Sequence, residues 1–117
     1  MDVIPSEVHA YALLNTSQDD ALLLEIQEHT ELNHPEQHML SGPLQGQFLN
    51  MVSRMIKPKR VLEIGTFVGY SAICLAKGLD KNGVLHIKSI DFIIQFGLSR
   101  KLGCLLVVGS PDSNLCT

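Results

Sequence analysis

Apolar positions along this chain recur at helical spacing in its first half and run together in strand-length blocks in its second. Pro5-Ser6 can open a first helix, carried by Val8, Tyr11, Ala12 and Leu14 and ending near Asn15. Ser17-Gln-Asp-Asp20 has the form of a capping box with Asp in the Glu/Gln place. It predicts a second helix with Leu22, Leu23 and Ile26 inward. Residues 31–43 carry two prolines and a Ser-Gly turn signal and read as a loop. Leu44, Phe48, Met51, Val52 and Met55 then repeat at helical spacing, the Met51/Met55 stripe reading as core packing, until Pro58 ends the helix. A strand over 60–65 follows, then a helix over 69–79 with Ala72, Ile73, Leu75 and Ala76 inward and Cys74 as a buried small hydrophobe. Asp80-Lys-Asn-Gly83 is a turn, and 84–90 a further strand. Helix, strand, helix, strand in this order predicts an α/β fold with a parallel sheet and a right-handed crossover.

Composition narrows the picture. A chain of 117 residues suits one domain, and 45% apolar with 18% charged residues fits a globular protein. A net charge of -3 without a basic block gives no electrostatic footprint for nucleic acid. The start MDVIPSEVHA has neither the basic nor the apolar region of a signal peptide. The apolar run CLLVVG at 104–109 is far too short for a membrane span. Three cysteines, with no CxxC pair, are expected in a reducing, cytoplasmic setting. From Ile87 onward Glu disappears, and the amphipathic helix due next is replaced by the glycine-broken DFIIQFGLSRKLG. The division expected is a helical segment 1–59, a βαβ unit over 60–90 and a divergent tail 91–117 within one partial domain.

The chemistry concentrates in RVLEIGTFVGYSA, residues 60–72. Glu63 interrupts an apolar strand, and a buried carboxylate is costly unless hydrogen-bonded or matched by charge. A glycine turn from strand to helix sets backbone N–H groups and a helix dipole over the sheet's carboxyl edge, where α/β folds bind ligands. Gly65 permits the sharp turn, and Gly69 allows close approach to the first helical turn. The spacing is G-x-x-x-G, without G-x-G-x-x-G or a Walker lysine. An acid two residues before the first glycine repels pyrophosphate and suits a ligand bearing an ammonium and a sulfonium.

LEIGTFVGYS resembles the first cofactor motif of the S-adenosylmethionine-dependent O-methyltransferases of the catechol and caffeoyl-CoA type. HMLSGPLQGQFLNMVSRMIKPK (38–59) is similar to the segment that forms one cofactor wall in that family and leads into its first strand. The two stand in the family's register, and the resemblance covers about residues 8–86. It implies a partial Rossmann-like methyltransferase fold, consisting of N-terminal helices plus the first βαβ unit. It implies that Met39 and Ser41 line the cofactor pocket, and that Glu63 and Ser71 serve the methionine end. Gly65-Thr66-Phe67 would form the turn, and Gly69 would open the helix. The reaction implied is methyl transfer to a hydroxyl of a small, catechol-like acceptor, with a divalent metal such as magnesium assisting in a homo-oligomer, a dimer.

Two departures qualify the resemblance. The family's ribose-binding acid falls on Ser89, and the nearest acid, Asp91, comes two residues late, on the same strand face. The Asp and Asp-Asn metal ligands of the later strands have no counterpart in residues 92–117, as expected of a truncated or frame-shifted member. The sheet would then be left with an unpaired edge where later strands should dock, inviting aggregation or pairing with another chain. A non-catalytic fragment that binds only cofactor or a second copy is one alternative, and another nucleotide-binding Rossmann enzyme is a second. Plainer readings exist for single residues. Glu63 could cap a helix or pair with Arg60 or Lys77, and Met39 could simply pack. Tyr70 reads as a core or rim aromatic. His34-Pro-Glu-Gln-His38 has zinc-like spacing without a third ligand.

Overall fold

The computed structural model describes residues 4–88 and the backbone of 105–108. Helix α1 spans Ser6–Leu14 and α2 spans Ala21–Asn33. A single 3-10 turn, Gln37–Met39, leads to α3, Gly42–Ile56. Strand β1 (Arg60–Ile64), helix α4 (Tyr70–Ala76) and strand β2 (Val84–Lys88) form the βαβ unit, and β3 is Leu105–Val108. The sheet order is β2-β1-β3. β1 and β2 run parallel, with Val61 opposite Leu85 and Glu63 opposite Ile87. β3 runs antiparallel to β1, with Glu63 opposite Leu106. β1 is therefore paired on both sides, and the described sheet is mixed rather than all parallel as expected.

The helix starts and stops follow local chemistry. Asp20, not Ser17, caps α2: its side chain accepts from the Leu23 N–H at 3.1 Å. This replaces the capping box expected over Ser17–Asp20. The helix also runs into the predicted loop as far as Asn33. Lys57 closes α3 with a left-handed φ of 50° just before Pro58. In the 80–83 turn, Asp80 accepts the Asn82 N–H on its side chain and the Gly83 N–H on its carbonyl.

The core is small and gathers around α4. Leu23 of α2, Leu49 of α3, Val61 of β1 and Tyr70, Cys74 and Leu75 of α4 are buried together. Ile26, Leu40, Val68, Ile73, Leu79 and Leu85 pack around them. Several predicted faces are rotated. In α3 the buried positions are Gly46, Leu49 and Ser53, while Phe48, Met51 and Met55 are exposed, so the methionine stripe is not core. The reason is close approach between α3 and α4. A Cβ at Gly78 would stand 2.3 Å from the Arg54 backbone nitrogen, and Ser53 Oγ donates to the Leu75 carbonyl at 2.6 Å. Small residues make that seam, which turns the larger apolar ones outward. Leu22 is likewise exposed, Ala76 faces out, and α1 buries none of its residues. Cys74 is 1% exposed, as expected.

Candidate functional site

At the carboxyl end of β1 the chain leaves the sheet through Gly65, whose φ is 88°. That is a left-handed backbone, which residues with a side chain adopt only with strain. The Gly65 N–H donates to the Lys88 carbonyl at 2.9 Å, which ties the turn to the end of β2. Phe67 takes φ 51°, and Gly69, at φ 85°, is the N-cap of α4. A Cβ at Gly69 would meet nothing within 4 Å, so the mouth of the turn is open there. A narrow cleft is lined by Met39, Leu40, Ser41, Gly65, Thr66, Phe67, Val68, Tyr70 and Ser71. Six of the residues predicted for the pocket thus come together: Met39, Ser41, Gly65, Thr66, Phe67 and Ser71.

Glu63 lies beneath this turn with none of its surface exposed. Ser71 Oγ donates to Glu63 Oε1 at 2.5 Å, a short bond of the charge-assisted kind. Lys77, one of the plainer partners suggested for Glu63, reaches Asp20 Oδ2 with its Nζ at 2.5 Å. Thr66 Oγ1 is buried and finds no hydrogen-bond partner among the described residues. A buried hydroxyl in that condition is suited to a ligand's polar group. Asp91, and Ser89 before it, lie outside the described residues.

Other predicted features resolve differently. His34 Nδ1 accepts the Glu36 N–H at 3.1 Å, and His38 Nε2 stands 3.4 Å from Glu36 Oε2. Both histidines are thus engaged by Glu36 within their own loop. The His34 ring also meets Phe67 edge-on, with centroids 4.7 Å apart. Among the described residues, no three His, Cys, Asp or Glu side chains come together to hold a metal ion. No described helix is long and apolar enough to cross a membrane.

Sequence reasoning missed Asp19. It is 9% exposed, and it accepts from both Gln47 Nε2 and the Tyr70 hydroxyl. The Tyr70 pairing joins residues 51 positions apart, so no local pattern announces it. Burial, with Asp19 accepting its hydrogen bond, pushes the Tyr70 phenol well above the usual tyrosine range.

Most of the chain is similar to known proteins. A family model described as O-methyltransferase matches residues 14–95, later at both ends than the resemblance over 8–86. A caffeoyl-CoA O-methyltransferase from Stellaria longipes is 32% identical over 103 residues, which is 83% of this chain and 42% of that protein. A catechol O-methyltransferase from Niastella koreensis is 40% identical over 74 residues, 63% of this chain and 33% of its own length. Among solved structures, an S-adenosylhomocysteine-bound methyltransferase from Podospora anserina matches with a TM-score of 0.65 at 26% identity, over 86% of this chain and 50% of that one. An O-methyltransferase from Streptomyces achromogenes involved in tomaymycin synthesis, in complex with S-adenosylmethionine, matches at 0.57 and 34% identity, over 69% and 36%. The chain spans less than half the length of these two curated relatives.

Proposed function

The chain belongs to the S-adenosylmethionine-dependent O-methyltransferase family, and we propose that the glycine turn over Glu63, with the facing Met39–Ser41 segment, binds that cofactor for methyl transfer to a hydroxyl of a small, catechol-like acceptor. The observation that carries this reading is the fully buried Glu63, held by Ser71 under a left-handed glycine turn. A carboxylate so placed is made to receive a cation. Its role is to accept from the cofactor's ammonium, with Ser71 fixing the direction of its oxygens. The Gly65-Thr66-Phe67 turn would lie along the methionine portion, with the Thr66 hydroxyl available to it. Met39 and Ser41 would close the opposite wall, and Gly69 would leave the approach to α4 clear. Asp91 would serve the ribose hydroxyls from beyond β2. Bound S-adenosylmethionine would supply an activated methyl group on its sulfonium sulfur.

The described residues do not fit the divalent metal that the resemblance implies, because no ligand cluster forms among them. A nicotinamide enzyme is disfavoured by Glu63 itself, since its charge opposes a pyrophosphate at the turn.

Calorimetric titration of the purified chain with S-adenosylhomocysteine and, separately, with NAD tests the reading. Saturable binding of the first and none of the second is expected. Binding of NAD alone, or of neither, would overturn it.

A further inference from the structure

Asp19 sits in the linker between α1 and α2, far in sequence from the glycine turn, yet it is built into the same region. Its Oδ1 accepts from Gln47 Nε2 at 2.9 Å, and its Oδ2 accepts from the Tyr70 hydroxyl. Two donors on one buried carboxylate satisfy a group that would otherwise be costly to bury. The Tyr70 ring is 1% exposed and has room only because residue 46 is glycine: a Cβ there would stand 2.7 Å from Tyr70 Cε1. The next residue in sequence, Asp20, caps α2 and pairs with Lys77 just past the end of α4. Two consecutive acids therefore grip α4 at both ends, Asp19 at Tyr70 and Asp20 at Lys77.

Tyr70 is the first residue of α4, and Ser71, its neighbour, donates to Glu63. Any rotation of that first turn moves the Ser71 hydroxyl and, with it, the hydrogen bond it donates to Glu63. We infer that Asp19 is a positioning residue for the cofactor: through the Tyr70 hydroxyl it fixes the first turn of α4 and so the direction in which Ser71 holds Glu63. A tyrosine used for packing alone would be served as well by phenylalanine. The inference rests on the cofactor reading above and adds to it a coupling between the N-terminal helices and the cofactor turn.

The test is S-adenosylhomocysteine titration of the wild-type chain and of Tyr70→Phe, Ser71→Ala, their double variant, Asp19→Ala and Asp19→Asn, with melting temperatures measured alongside. Tyr70→Phe is expected to weaken binding about five- to tenfold. In the Ser71→Ala background the same change should cost less than about twofold, because the route through Ser71 is already gone. Asp19→Asn, which still offers the tyrosine an acceptor, should recover most of the affinity lost in Asp19→Ala. A Tyr70→Phe chain that binds like wild type, or penalties that simply multiply in the double variant, would overturn the inference. Should Tyr70→Phe not fold, equal losses in Asp19→Asn and Asp19→Ala would do the same. Absence of binding in the wild type is a different outcome: it refutes the cofactor reading, and the inference falls with it.

Discussion

Glu63 is the residue on which the site turns, because a carboxylate with no exposed surface has to be held by specific groups. Ser71 supplies one of them, and in the proposed function the cofactor's ammonium would supply the counter-charge. Glu63→Ala should weaken S-adenosylhomocysteine binding roughly ten- to a hundredfold, the loss that follows from removing a charge-assisted hydrogen bond. Calorimetry on folded variant checks this; affinity within twofold of wild type would make Glu63 structural only. Gly65 carries the second expectation at this scale. Its φ of 88° is hostile to a β-branched side chain, so Gly65→Val should abolish binding and reduce stability by about 1–3 kcal/mol. Binding retained in that variant would mean the ligand does not cross the turn. Glu63, Gly65 and Ser71 were legible in the sequence as parts of one strand–turn–helix unit, the cofactor roles expected of them coming from the resemblance alone. Asp19 was not, because its partner Tyr70 is reached only through tertiary packing.

The elements show where periodicity misleads. In α3 the large apolar residues mark the wrong face, since contact with α4 is made through Gly46, Leu49 and Ser53. Hydrophobic spacing identifies a buried stripe when bulk fills the interface. It fails where two helices meet through glycine and serine and their backbones nearly touch. In α4 the sequence reading agrees better, because Ala72, Cys74 and Leu75 are all buried as α3, α2 and β2 pack around the helix. Cys74 gives this packing a titratable reporter. Burial pushes its thiol from the ordinary 9.0 up to about 11. A folded-state pKa raised above the unfolded value means stability that is complete below pH 9.0 and is lost as pH rises through about 11. Urea unfolding at a series of alkaline pH values should therefore show a steeper loss in wild type than in Cys74→Ala. Parallel curves would mean the thiol ionises as freely in the folded chain as in the unfolded one.

At the scale of the whole molecule, one core serves both the helices and the sheet, and the glycine turn sits on it. Leu23, Leu49, Val61 and Tyr70 belong to a single buried cluster, so α2, α3, β1 and α4 stand or fall together. Antiparallel pairing of β3 to β1 adds a contact that the βαβ rhythm did not predict, because it comes from backbone hydrogen bonding by a segment with no amphipathic pattern of its own. A ligand that binds only the folded turn must then stabilise the whole unit. At a hundredfold excess over its dissociation constant such a ligand contributes about 2.7 kcal/mol. In a domain of this size each kcal/mol raises the melting temperature by roughly 4–8 °C. S-adenosylhomocysteine at that excess should therefore raise the melting temperature of the chain by about 10 °C or more, while NAD leaves it in place. Glu63→Ala should need a correspondingly higher concentration for the same rise. The measurement needs no acceptor and no turnover, so it tests cofactor recognition separately from catalysis. A melting temperature that stays fixed at millimolar S-adenosylhomocysteine would show that the turn over Glu63 is not a cofactor site in this chain.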